Sequence, residues 1–256
     1  MNALILKVIA CAAMLIDHIG YAWHITPFRY IGRIAFPIFA FLIVNGYRHT
    51  HDLKRYMLRL ALFAVLSEVP YDLLFYGSAF NTQHQNVFIT LLLGLCCIAM
   101  MDAVKSRHVL LTLLPVAACC AAAMVLNCDY GYIGVLTVIA FHIFKGNDIR
   151  SRLCLTAAIA LLTGWQAISY YAANAVLSSF GINLRAYVFT RPFFFKSPGY
   201  MQLPRVLGLI PIFLYNGKKG AEPKSKAAKK ALQLGFYIFY PAHILILYIL
   251  KHFVFK

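Results

Sequence analysis

The chain of 256 residues predicts an all-α fold, a polytopic bundle of membrane helices, and three observations predict it. Hydrophobic residues make up 62% of the chain and charged residues only 12%, against about 25% in a soluble domain. Its apolar runs approach the roughly 20 residues that a helix needs to cross about 30 Å of hydrocarbon. Lysine and arginine crowd into alternate connectors between those runs, which is the charge asymmetry of membrane topology. The expectation is a single transmembrane domain over 1–256 with a cytoplasmic N-terminus and about eight to ten membrane helices.

The first run, Leu4–Trp23, is too long for a signal h-region and lacks a small-x-small exit site, so it is expected to stay in the membrane. Further runs cover Tyr30–Tyr47 and Leu53–Tyr76, the latter with Pro70 expected to break or bend it. Val87–Met101, Val109–Leu126 and Tyr130–Phe144 follow, then the long Leu153–Phe180, where Gly164 marks a tilt or kink. An aromatic, Pro- and Gly-interrupted segment, Ile182–Gln202, reads as re-entrant or interfacial. Leu203–Tyr215, a Lys-rich loop Gly217–Lys230 and a last helix Ala231–Phe253 complete the chain.

A net charge of +16 raises the question of nucleic acid, but the basic residues lie in short connectors with no aromatic-interleaved basic face. Two adjacent cysteine pairs, Cys96-Cys97 and Cys119-Cys120, sit in apolar runs without metal-ligand spacing and read as apolar filler. Arg48, Lys54, Arg55, Lys105, Arg107, Lys145, Arg150, Arg152 and the lysines of 218–230 mark one side. Connectors 77–86 and 127–129 carry no basic residue and mark the other. Arg185, Arg191, Lys196 and Arg205 form one discordant connector.

With that topology the intramembrane charges gather. Asp17 and His18, side by side in the first run, lie toward its outer end, and Arg29 and Arg33 open the second run on the same side. Glu68 and Asp72 are four apart and share a helix face. His84, Asn86 and Asp129 fall at outer connectors. A charge at membrane depth costs about 2.5–3.5 kcal/mol on insertion scales, so a polar pocket opening outward is the economical explanation. His243, within Tyr240-Pro241-Ala242-His243, adds a second intramembrane histidine. The soluble-enzyme signatures, Gly-x-Ser-x-Gly, a phosphate loop, His-Glu-x-x-His and Cys-x-x-Cys, are missing.

Several strings carry a family resemblance. Leu15-Ile16-Asp17-His18-Ile19-Gly20-Tyr21 and the stretch from Ile31-Gly32-Arg33 to Phe41 resemble the opening of the TraX family. So do Gly46-Tyr47-Arg48-His49-Thr50, Ser67-Glu68-Val69-Pro70-Tyr71-Asp72, Asn86-Val87-Phe88, Asp129-Tyr130-Gly131, Leu214-Tyr215-Asn216-Gly217 and Tyr240-Pro241-Ala242-His243. They run in family order from near residue 4 to near residue 250. Asn45 is a departure, since family members often carry an acidic residue there.

The resemblance implies an acetyltransferase of the bacterial inner membrane that moves an acetyl group from acetyl-CoA to a pilin N-terminus or a surface glycan. More distantly the chain is similar to the broader transmembrane acyltransferases. On that reading His18 is the expected base, with Asp17 or Glu68 orienting it. Arg33, Asp72, His84, Asn86 and Asp129 are the expected substrate-binding residues, with Arg33 on the thioester oxyanion or holding Asp17, and Arg48, Lys54, Arg55, Asn216 and His243 the expected CoA-binding residues. The competing reading is a proton-coupled transporter of a small polar solute, which favours midplane charges and repeated halves. Here the charges gather toward one face, and no repeated halves are visible.

Overall fold

A computed structural model describes residues 1–179, 199–220 and 225–254, apart from the side chains of Gln166, Tyr170, Ala173, Asn174, Leu177 and Tyr200. Residues 182–198 of the aromatic segment, with Arg185, Arg191 and Lys196, lie outside the described residues. Helix α1, Ala3–Ala22, starts on Asn2, whose side chain accepts the Ile5 amide at 3.0 Å and so caps the helix. The second apolar run divides into α2, Thr26–Gly32, and α3, Ala35–His49. Pro37 explains the division, because it has no amide hydrogen for the Arg33 carbonyl and its ring crowds that carbonyl.

Helix α4, Leu53–Tyr76, opens on the Asp52 cap and ends at Gly77, which takes the left-handed φ of +68° that favours glycine. It continues through Pro70 as one helix, so of the break or bend expected there the break is not found. Helix α4 packs along two neighbouring helices, and such contact outweighs the local cost of an interior proline, about 3 kcal/mol. Helices α5, Val87–Lys105, α6, Leu113–Val125, and α7, Gly131–Ile143, follow, with a 3₁₀ turn at Val109–Thr112. Helix α8, Ile149–Ser179, passes Gly164 without interruption. A 3₁₀ stretch, Gly199–Gly208, leads into the short α9, Leu209–Phe213. Helix α10, Lys226–Ile249, runs on into a π turn at Leu250–Val254.

Among the described residues no strand is present, and five helical stretches are long and apolar enough to cross a membrane. They are Ala3–Ala22, Thr26–His49, Val87–Lys105, Ile149–Ser169 and Lys226–Val254. The other runs read from the sequence are helical as well but fall outside that measure of length and apolarity. Val109–Val125, Gly131–Ile143 and Met201–Phe213 are apolar but shorter, and α4 carries Arg59, Glu68 and Asp72 along its length.

The core runs between α1, α3, α4, α5, α7 and α10, with Leu6, Ile38, Leu60, Leu95, Val138 and Ile244 essentially inaccessible. The two ends of the bundle differ. At one end the Met1 ammonium donates to the Leu214 carbonyl at 2.7 Å and the Ala3 amide donates to the Lys218 carbonyl at 2.9 Å, tying the chain start to the Lys-rich loop. Arg48 closes the same end by donating to the Phe141 carbonyl at 2.9 Å. At the opposite end the connectors 77–86 and 127–130 meet, where the Asp129 amide donates to the Gln85 carbonyl at 2.8 Å. The basic and the acid connectors are therefore sorted to opposite ends, as their charges predict.

Candidate active site

Asp17 and His18 are neighbours on α1, about 100° apart around its axis, so they face different partners. Asp17 turns to α2. Its carboxylate meets Arg29 at 2.6 Å and Arg33 at 3.1 Å, and Arg33 also donates to the Arg29 carbonyl at 3.3 Å. Gly32 makes this approach possible, because a Cβ there would collide with the Asp17 side chain. Asp17 and Arg33 are both buried, so each charge is stable only while the other is in place.

His18 turns to α10 instead. Its Nδ1 lies 2.7 Å from His243 Nε2, and the two rings are nearly parallel, 8° apart. His243 Nδ1 lies 2.6 Å from the Phe239 carbonyl, one helical turn back on the same face. A carbonyl only accepts, so His243 Nδ1 carries the proton and donates. Neutral His243 then has a lone pair on Nε2, and His18 Nδ1 must donate to it. That assignment follows from the network of heavy atoms and fixes both tautomers. Neutral His18 is left with its lone pair on Nε2, which makes no hydrogen bond among the described residues. Tyr240 and Phe75 meet the His18 ring edge-on, at 6.0 and 5.6 Å between centroids.

The carboxylate expected to orient His18 is therefore not its hydrogen-bond partner; a second histidine is. Glu68 holds a loop: it accepts the Asn86 amide at 3.2 Å and the Asn86 side-chain nitrogen at 2.7 Å. Asn86 in turn donates to the Ala64 carbonyl at 2.8 Å and caps α5 by accepting the Phe88 amide at 2.9 Å. Asp72 accepts the Asn81 amide at 2.7 Å from the same loop. His84 stacks on Tyr76 and receives the Asn127 side-chain nitrogen at 3.2 Å. Asp129 accepts the Tyr130 amide through its side chain and the Thr90 hydroxyl through its carbonyl. These five residues share the acid end, where they join connectors to helices.

Among the expected CoA residues, His243 belongs to the histidine pair. Arg48 is bound to the Phe141 carbonyl, Arg55 pairs with Asp52 at 2.9 Å in the open, Lys54 is exposed, and Asn216 joins the loop that holds Met1. None of them lines the cavity of about 330 Å³ that opens beside α1 and α10. Its wall includes Lys7, Arg59 and Gln233 toward the basic end and Met14, Phe88 and Tyr240 toward the histidines. Sequence reasoning passed over this set, although a signal was present. Lys7, Met14 and His18 recur at helical spacing on one face of α1, as do Gln233, Phe236, Tyr240 and His243 on α10. Among the described residues no group of three His, Cys, Asp or Glu side chains is placed to hold a metal ion.

The chain is 29% identical over 269 aligned positions to the probable fimbrial assembly protein FimC, serogroup H1, of Dichelobacter nodosus, covering 99% of this chain and 97% of that protein. It is 28% identical over 188 positions to the uncharacterized protein RP591 of Rickettsia prowazekii (strain Madrid E), covering 70% and 69%. No solved structure matches it. The family model described as TraX protein matches residues 3–251, a span that includes α1 with Asp17 and His18 as well as α10 with His243, and the chain belongs to the TraX family.

Proposed function

We propose that this chain is a membrane-embedded acetyltransferase in which His18, aligned by His243, is the general base and acetyl-CoA is the donor. The single observation that carries the reading is the continuous chain from the Phe239 carbonyl through His243 to His18, with both links at or below 2.7 Å. Such a chain leaves one basic nitrogen, His18 Nε2, and stabilises the imidazolium that forms when that nitrogen takes a proton.

In the reaction His18 Nε2 removes a proton from an acceptor amine or hydroxyl as it attacks the thioester carbonyl. The bond from carbon to the acceptor forms, the carbon–sulfur bond breaks, and His18 returns the proton to the departing thiolate. The products are the acetylated acceptor and the CoA thiol, and the base is again a neutral imidazole. Family membership and the relative named a probable fimbrial assembly protein support a pilin as the acceptor; a surface glycan presents an equivalent nucleophile. The acid end is the extracytoplasmic side in this reading, and the membrane is the bacterial inner membrane.

Transfer of radiolabelled acetyl from acetyl-CoA to pilin in proteoliposomes tests it. His18→Ala is expected to lose about 10²–10⁴-fold in rate while the protein still inserts and folds. His243→Ala is expected to lose most of that factor, and His243→Gln to recover part of it, since a side-chain carbonyl again accepts from His18 Nδ1. Near-normal transfer by His18→Ala would remove the assignment, and solute flux without acetyl transfer in the same vesicles would favour a transporter.

A further inference from the structure

On the acid-end side of His18 an aromatic wall carries two cations. Tyr21 lies one turn beyond His18 on α1, about 4.5 Å along the axis. Its ring packs 4.3 Å from that of Phe75, which lies 5.6 Å from the His18 ring, and its hydroxyl donates to the Phe75 carbonyl at 3.0 Å. Arg29 lies 5.3 Å from the centre of the Tyr21 ring, and Lys251, in the π turn after α10, lies 5.9 Å from it. Arg29 gives Nη1 to Asp17, at 2.6 Å to the carboxylate and 3.2 Å to the backbone carbonyl, while its Nη2 makes no hydrogen bond among the described residues. Lys251 is half-buried and makes no ion pair among the described residues. The nearby carboxylates are engaged: Asp17 with its two arginines, Glu68 and Asp72 with the 77–86 loop, and Asp129 with the Tyr130 amide. Two buried guanidiniums add to the positive field, since Arg33 donates to the Tyr130 hydroxyl and Arg205 lies 4.6 Å over the Tyr130 ring. The charge asymmetry that orders this chain keeps lysine and arginine away from the acid end, so an ammonium without a carboxylate there, close to the candidate base, needs a reason.

Resting on the acetyl-transfer reading above, we propose that Arg29 and Lys251 bind a carboxylate of the acceptor beside the Tyr21 ring, and that the acceptor is a polypeptide N-terminus with an acidic side chain within its first residues. Three features select that group. Arg29 Nη2 and the Lys251 ammonium are donors on one aromatic wall, and a carboxylate accepts from both at once. The wall lies one helical turn from His18, so anion and nucleophile are separated by about one or two residues of extended chain, at roughly 3.3–3.6 Å each. A peptide amine also arrives largely as an ammonium. Among these cations a bare ammonium is repelled, whereas a neighbouring carboxylate offsets the repulsion and stays bound. The same positive field favours loss of the ammonium proton to water, which gives the neutral amine that attacks. His18 Nε2 then takes the second proton as the new bond forms.

Thermal unfolding of the full chain in detergent reads binding without turnover, because a ligand bound only by the folded state raises the midpoint. The probes are the amidated tetrapeptides Ala-Asp-Ala-Ala and Ala-Asn-Ala-Ala, which differ by one carboxylate. At low salt the wild type is expected to bind the Asp peptide about three- to tenfold more tightly, and the preference is expected to fade as salt is raised. Lys251→Gln is expected to narrow that ratio and Arg29→Gln to remove most of it. Each variant's midpoint without peptide reports whether it folds, and the Lys251 series decides the matter if Arg29→Gln does not. Lys251→Glu is expected to bind Ala-Lys-Ala-Ala more tightly than the Asp peptide, a reversal that a merely structural lysine would not produce. Equal binding of the Asp and Asn peptides by the wild type, or a preference unchanged in the Lys251 variants, would overturn the proposal. So would a midpoint raised by phosphatidylglycerol and by neither peptide, which would make Lys251 an interfacial anchor. Glucosamine 6-phosphate bound in preference to glucosamine, with no preference between the peptides, would move the acceptor to a glycan and end the polypeptide assignment. An Asp preference that follows Arg29 and Lys251 in a protein that transfers no acetyl would support this site and remove the acetyl-transfer reading. Acetyl transfer to pilin without any Asp preference would remove this site alone.

Discussion

The two ends of this bundle use charge in opposite ways. The chain has eight acidic residues, and four of them, Asp17, Glu68, Asp72 and Asp129, lie at the acid end, half-buried or buried. Each is bound to something from another element or connector: arginines of α2, the cap of α5, or the amides of a loop. Three others, Asp52, Asp102 and Asp148, lie exposed toward the basic end and are engaged by local caps or by Tyr47 and His142, away from the cavity. Glu222 lies outside the described residues. The acid end therefore spends its carboxylates on holding helices together, whereas at the basic end the cavity faces Arg59 with aromatic rings and no carboxylate. A buried charge with its partner reads as structure, and a cation without a carboxylate reads as a place for an anion.

The sharpest way to break that contrast is Asp17→Ala. It leaves Arg29 and Arg33 facing one another without their shared carboxylate, and removing one partner of a buried pair costs about 3–5 kcal/mol. A marked drop in the unfolding midpoint and in membrane yield is expected. A midpoint within the error of the wild type would show that the pair is already solvated and that the acid end is not held by charge.

Asn86→Ala ranks next. Its side chain joins Glu68, the Ala64 carbonyl and the Phe88 amide, so its loss strands two acceptors and a helix cap, at about 1–3 kcal/mol. Asp52→Ala, the counterpart at the basic end, removes the cap of α4 and an ion pair whose arginine is 80% exposed, at about 1 kcal/mol. Comparing the two midpoints in one detergent checks the ranking. A larger loss for Asp52→Ala would reverse the account of which end is structural.

Much of this was legible in the sequence, for physical reasons. Bilayer length and the alternation of basic connectors located α1, α4, α5 and the two ends, because lipid punishes any other placement of charge. Pairing was not legible. Adjacent residues on a helix diverge by about 100°, so Asp17 need not face His18, yet the partners expected for His18 were Asp17 or a carboxylate of α4, while the fold gave Asp17 to α2 and His18 to α10. Which distant helix packs against α1 is a tertiary fact, and the His243 link spans 225 residues. The second run reads as one helix in the sequence and is divided near Arg33, ahead of Pro37, whereas Pro70 and Pro241 lie within continuous helix, so proline alone does not locate a break.

The smallest effect belongs to the most exposed carboxylate. Asp148, in the connector before α8, accepts the Ser151 hydroxyl at 2.7 Å and the Ser151 amide at 3.0 Å. Those bonds, the hydroxyl first, hold its carboxyl below the ordinary carboxylate value. Because its folded value is depressed, the contribution to the α8 cap is present above the unfolded value, about 3.9, and is lost as pH falls through the folded one. Titration of the Asp148 carboxyl by carbon NMR is expected to show a midpoint below about 3.9 in the wild type and closer to it in Ser151→Ala. The bulk unfolding midpoint is expected to move little in either, since the group is open to solvent and acts on one helix end only. An Asp148 midpoint unchanged by Ser151→Ala would mean that backbone amides alone depress it. The basic end would then owe even this local order to the helix terminus and not to side-chain pairing.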